Sequence, residues 1–205
     1  RKYRLPVEFS SQVIKVAQKI ALTIDPDEIK ARRDLRELIT VTIDGEDAKD
    51  LDDAVSLEML PNGNYHLGVH IADVGYYVQE GSSLDEEALT RATSVYLVDR
   101  VIPMLPPRLS NGLCSLNAGE DRLALTCFME INKKGEIVGH EICPSVIRVR
   151  ERMTYTSVRR ILEGQDALLA RRYAGYLRMF ELMRELCLVL REKRLRRGAI
   201  DFDFP

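Results

Sequence analysis

The chain has 205 residues, 45% of them hydrophobic and 30% charged, with a net charge of −2. That is enough to bury a sizeable core, in an ordinary globular composition. No apolar run approaches the length of a membrane span, and the basic start RKYRLPVEFSSQ lacks the apolar stretch of a signal peptide. The near-neutral total conceals an asymmetry, since residues 1–147 carry 16 basic and 24 acidic side chains while residues 148–197 carry 14 and 6. Such a division suits a cation site beside a polyanion track, or simply a solvated arginine-rich helix face.

In chain order, VEFSSQVIKVAQKIAL places Val13, Ala17 and Ile20 at helical spacing. TIDPDEIKARRDLREL, broken by Pro26 and by charge, reads as a connection, so residues 1–31 are an N-terminal helix and linker. LITVTID (38–44) and AVSLEML (54–60) read as strands, and PNGN (61–64) turns YHLGVHIA (65–72) back on them. SSLDEEALTRAT predicts a short helix capped by Ser83, and SVYLV (94–98) is extended. VIPMLPPRLSNGLCSLN, with three prolines, is an ordered loop with one helical turn.

A hairpin follows over 122–149, turning at 133–136, then a short helix ending at Gly164. Residues 166–197 read as one long helix with Leu169, Tyr173, Tyr176, Phe180, Met183, Leu186 and Leu190 on one stripe, closed by Gly198. The expected fold class is α+β: a mainly antiparallel twisted sheet or partial barrel flanked by helices, with one long C-terminal helix. Cys114, Cys127, Cys143 and Cys187 form no CxxC and read as buried thiols in a reducing cytoplasm. The strand signal AIDFDFP stops at Pro205 and the chain begins without Met, so a piece of a longer protein is expected.

The chemistry concentrates in TIDGEDAKDLDDAVS (42–56), where six carboxylates face one lysine. Asp44 ends one strand, and Asp50, Asp52 and Asp53 precede the next. Two carboxylates at about 4 Å repel by about 4 kcal/mol at an effective dielectric of 20. Such a cluster calls for solvent, protonation, arginines or a metal. The spacing is not that of an EF-hand. Oxygen ligands at this density suit Mg²⁺ or Mn²⁺ acting on phosphates, and a charged loop splayed into water is the plain alternative. His66 and His70 share one face of a strand with no third ligand and read as structural.

That acidic stretch, with YHLGVHIADVGYYVQEGSSLDEEALTRATSVYL, IPMLPPRLSNGLCSLNAGEDRLALT and RGAIDFDFP, closely resembles the catalytic (RNB) domain of the ribonuclease II family from about Arg32 to Pro205. The resemblance implies a Mg²⁺-dependent, processive 3′→5′ exoribonuclease that degrades single-stranded RNA to nucleoside monophosphates. It assigns Asp44, Asp50 and Asp53 to metal and Asp52 to turnover near the 3′-terminal nucleotide. It assigns Tyr96 and Phe202 to stacking on terminal bases, for which core packing is the alternative. Arg108 and Arg122 are candidates to meet phosphates or to balance the aspartates, and Glu46 and Asp47 receive no role. The family's downstream catalytic arginine and its flanking cold-shock and S1 RNA-binding domains are not in the chain. Two further readings stay open: a non-catalytic metal- or RNA-binding piece, and a metal-dependent phosphomonoesterase acting on a small substrate.

Overall fold

Alternation of apolar and polar residues over 53–72 and 121–148 builds the centre of one sheet, around which everything else is arranged. The computed structural model describes residues 5–200. In chain order its elements are α1 (Ser11–Lys19), α2 (Pro26–Ala31), β1 (Arg33–Leu35), β2 (Val41–Asp44), β3 (Asp53–Met59), β4 (Tyr65–Ala72), α3 (Val74–Tyr77), α4 (Ser83–Arg91), β5 (Val95–Tyr96), β6 (Val101–Ile102), β7 (Asp121–Ile131), β8 (Ile137–Arg148), β9 (Glu151–Thr154), α5 (Tyr155–Leu162), α6 (Ala167–Arg172) and α7 (Leu177–Arg196). A π-helical turn lies at Leu109–Leu113 and a 3-10 turn at Ala174–Tyr176.

The main sheet runs β1-β8-β7-β4-β3-β2-β9, and β5 pairs with β6 alone. Its centre is antiparallel, whereas the edge pairs β1–β8 and β2–β9 are parallel. Only Val149 and Arg150 separate β8 from β9, although the two strands stand five places apart in the order. Five flat inter-strand spacings span about 24 Å. Three Cα–Cα steps reach at most about 11 Å. The sheet must therefore curl steeply and bring its ends together, and the Arg150 N–H donates to the Thr40 carbonyl at 2.9 Å across this corner. No ladder joins β9 to β1, so the barrel is partial and open.

Each face carries its own core. On one, Ala54, Ala72, Ala124 and Ile147 pack with Val13 and Ala17 of α1, Leu84 of α4, Leu109 and Leu116. The N-terminal helix is thus part of the packed body. On the other, Val41, Leu57, Tyr65, Ile131 and Met153 pack with Ile161, Tyr173, Phe180, Leu182 and Leu186.

Several expectations are corrected. The single helix over 166–197 is broken into α6, the 3-10 turn and α7. Gly175 lies at the break, where the helix penalty of glycine is about 1 kcal/mol. The stripe survives the break, because all seven of its residues still pack in the second core. The connecting segment contains α2, whose Asp25 carboxylate accepts from the Asp27 N–H with Pro26 in the first turn, an ordinary cap. Ser82, not Ser83, caps α4. The cysteines are free, but only Cys114 is buried, and Cys187 is exposed. Among the described residues no helix is long and apolar enough to cross a membrane.

Candidate functional site: an acidic loop at the sheet end

Residues 45–52 join β2 to its antiparallel neighbour β3, so Asp44 and Asp53 lie at the same end of the sheet. One apolar residue anchors the loop. Leu51 is 1% exposed. Its N–H donates to Ser115 Oγ at 3.1 Å and its carbonyl accepts from the Leu116 N–H at 2.8 Å. The Ser115 hydroxyl donates on to the Lys49 carbonyl at 3.0 Å. The Asp52 carbonyl accepts from the Ala72 N–H at 3.0 Å, tying the loop to the end of β4. With Leu51 sunk between them, the flanking acidic side chains are held at the rim.

The carboxylates feel one another. Asp44 is pushed above the usual carboxylate range by burial first, then by the charge of Asp53, with Arg152 opposing and Asp50 adding. Its Oδ2 is buried with no hydrogen-bond partner. Asp52 is also raised, by partial desolvation first and then by Asp50, Asp53 and Asp44. An orphaned, desolvated carboxylate oxygen among like charges is a group suited to a cation. Among the described residues, however, no three His, Cys, Asp or Glu side chains are gathered closely enough to hold a metal ion. The expected convergence of four aspartates is therefore incomplete. The group couples electrostatically without forming a cage, as mutual repulsion favours.

Tyr96 lies on β5, 65% exposed, so core packing does not account for it. Its hydroxyl donates to Asp50 Oδ2 at 2.7 Å. This bond, more than desolvation, raises the phenol to about 12. Phe202 lies outside the described residues. Arg108 and Arg122 are committed elsewhere. Arg108 Nη2 donates to the Ile20 carbonyl at 2.7 Å. Arg122 Nε donates to the Ser115 carbonyl at 2.8 Å, and its Nη2 pairs with Glu120. His66 pairs with Glu58 at 3.1 Å and stacks on Phe128, and His70 is wholly buried.

Two features escaped the sequence reading. Arg152 Nη2 donates to the carbonyls of Ala48 at 2.6 Å, Glu46 at 2.9 Å and Gly45 at 3.4 Å. Glu46 is held below the usual range by the Thr156 hydroxyl first, its own backbone N–H and then Thr154, at the start of α5. The Glu46 carboxylate thus interacts with the start of α5 rather than with the four aspartates.

A family profile described as the RNB domain matches residues 32–205. Ribonuclease R of Thermotoga maritima is 51% identical over 195 residues, covering 95% of this chain and 27% of that protein. Ribonuclease R of Escherichia coli is 45% identical over 202 residues, covering 98% of this chain and 24% of that protein. Among solved structures, Mycoplasma genitalium RNase R in complex with double-stranded RNA has a TM-score of 0.87 at 32% identity, covering 96% of this chain and 34% of that one. Yeast Ssd1, described as a pseudonuclease, shares the fold at a TM-score of 0.61 and 20% identity, over 68% of this chain and 18% of its own. The chain spans 27% and 24% of the two ribonuclease R relatives.

Proposed function

The chain belongs to the RNB domain family, and from that premise we propose that it is part of the catalytic domain of a cytoplasmic, processive 3′→5′ exoribonuclease. Its substrate is single-stranded RNA, hydrolysed to nucleoside 5′-monophosphates with Mg²⁺, or Mn²⁺ in its place. The observation that carries the reading is the buried, unpartnered Oδ2 of Asp44 among Asp50, Asp52 and Asp53, beside the exposed Tyr96 ring.

Asp44, Asp50 and Asp53 would hold the metal. Magnesium is commonly bound by one or two carboxylates together with water and substrate phosphate oxygens, so these residues fit it without a closed protein cage. When bound, the ion neutralises charge at the scissile phosphodiester and activates water. Asp52, at the mouth of the loop, acts on the 3′-terminal nucleotide in turnover. The Tyr96 ring offers a stacking face that accepts any base, worth about 1–3 kcal/mol per base, and Phe202 is the second such ring. The downstream catalytic arginine and the cold-shock and S1 domains belong to the remainder of the longer protein.

The alternative is a non-catalytic piece that only binds RNA or metal. The deciding assay follows 5′-labelled poly(A) with the full-length protein and with this chain, with and without Mg²⁺. The expected result is stepwise shortening from the 3′ end by the full-length protein, with release of mononucleotides. Asp52→Asn should abolish that turnover and leave RNA binding nearly intact. Near-normal turnover by Asp52→Asn would refute the assignment, and binding without cleavage by the wild type would favour the alternative.

A further inference from the structure

We propose that Arg152 is a positioning residue for the acidic loop: its guanidinium gathers the carbonyls of Gly45, Glu46 and Ala48 and thereby sets where Asp44 and Asp50 stand, without touching RNA or metal itself. The kinetic side of this proposal rests on the exoribonuclease reading. The structural side rests on geometry alone.

The placement starts from the ladder. β9 runs parallel to β2 with Arg152 beside Thr42, two residues before Asp44. From there the side chain reaches the loop that leaves β2. A single nitrogen, Nη2, meets three carbonyl oxygens at 2.6, 2.9 and 3.4 Å. Carbonyl oxygens turned toward one point repel unless a cation sits among them, and here the guanidinium is that cation.

This side of the loop is otherwise held by Ala48, partly buried against the first core, and by Glu46 at the start of α5. Within residues 45–48 the Ala48 N–H donates to the Gly45 carbonyl at 3.2 Å. Leu51 fastens only the far side, through Ser115 and Leu116. Arg152 therefore joins three backbone points of the stretch that runs from Asp44 to Asp50, and Leu51 anchors the stretch that carries Asp52. Its charge also acts on Asp44 against the other carboxylates. The chain thus carries a permanent organic counter-ion beside its acidic cluster, bound to backbone, which leaves the Asp44 Oδ2 without a partner.

The test compares Arg152→Lys and Arg152→Ala with the wild type. In the full-length protein, Arg152→Ala should lower kcat on poly(A) by about 10-fold or more, the scale seen when groups that orient metal ligands are removed. KM for RNA should stay nearly constant, and half-saturation should move to higher Mg²⁺. Arg152→Lys should recover part of kcat, and added guanidinium should partly restore Arg152→Ala. In the chain described here, hydrogen exchange at the Glu46–Asp50 amides should accelerate in Arg152→Ala, with β3 and β4 still protected. An unchanged kcat in Arg152→Ala overturns the proposal, as does unchanged loop exchange. Exchange that accelerates across the whole sheet also overturns it, since Arg152 then serves general stability. A wild type that cleaves no RNA refutes the exoribonuclease reading instead, and the exchange measurement still decides the role of Arg152.

Discussion

The Tyr96 hydroxyl donates to the Asp50 carboxylate across 2.7 Å and so ties the small β5–β6 hairpin to the acidic loop. An ionised acceptor beside a phenol favours the neutral phenol, which is why Tyr96 titrates near 12. Asp50→Asn should bring it back toward the ordinary tyrosine range. Difference ultraviolet titration against Tyr96→Phe isolates this one group among the eight tyrosines. A Tyr96 titration that does not move in Asp50→Asn would contradict the contact. Tyr96→Phe keeps the ring and loses only the tether, so it separates stacking from tethering in any RNA-binding assay.

Gly68 faces the interior of the curled sheet, where no side chain fits. A Cβ there would overlap Ser56 Oγ and lie 3.0 Å from His70 Nε2 and 3.1 Å from Phe128 Cε1. Gly68→Ala should cost about 1–3 kcal/mol, as overpacking of a rigid core does. Urea unfolding reads the loss. Ser56→Ala in the same chain removes the worst overlap. Because Ser56→Ala alone also removes the bond to His70 Nε2, the double variant should lose less than the sum of the two single losses, and additive losses would mean that steric crowding is not the cause.

The acidic cluster also has a stability signature. Asp52 lies above its ordinary range in the folded chain, so its charged form is disfavoured there. Such a group contributes stability below its unfolded pKa and loses it as pH rises through the folded one. At neutral pH, Asp52→Asn should therefore leave the metal-free chain as stable as the wild type or more so. The gain is at most about 1 kcal/mol, because Asp52 is exposed and screened. Thermal unfolding in EDTA is the measurement. Added Mg²⁺ should then raise the midpoint of both chains, since Asp44, Asp50 and Asp53 rather than Asp52 would hold it. A variant that melts clearly lower in EDTA would show that Asp52 is a structural group.

Much of this arrangement is readable in sequence where side-chain period and turn chemistry agree. Tyr65–Ala72 is a strand with the predicted bounds, because PNGN sets its start and its polar and apolar residues address opposite faces. The acidic loop falls between two strands as expected, since charges at this density are costly to bury within a sheet. The break at Ala174–Tyr176 is not readable, because Tyr173, Tyr176 and Phe180 continue the apolar stripe straight through it. The parallel edges β1 and β9 are three and four residues long, too short to show a period. Arg152 leaves no mark at all. Its partners are backbone carbonyls more than a hundred residues away, and a carbonyl is the same whatever side chain it accompanies.

His70 makes a final prediction, and its hydrogen bonds give the sign. The Ser145 hydroxyl donates to the Ala124 carbonyl at 3.2 Å, so in its 2.6 Å contact with Thr126 the threonine is the donor. Thr126 Oγ1 then accepts from His70 Nδ1–H at 2.8 Å, and the bare Nε2 accepts from the Ser56 hydroxyl at 3.1 Å. All four side chains are buried, and the neutral ring satisfies each bond. Burial lowers His70 to about 4, from 6.5. The unfolded chain therefore takes up a proton below pH 6.5 that the folded chain refuses until about pH 4. Stability present above that window falls by about 3 kcal/mol across it. His70→Gln keeps a polar group but cannot titrate. Urea unfolding of both chains at pH 7 and pH 4.5 should show the wild type losing about 2–3 kcal/mol more than the variant. Parallel losses would mean that the histidine is already charged in the folded chain, and that the direction assigned to its four-residue network is wrong.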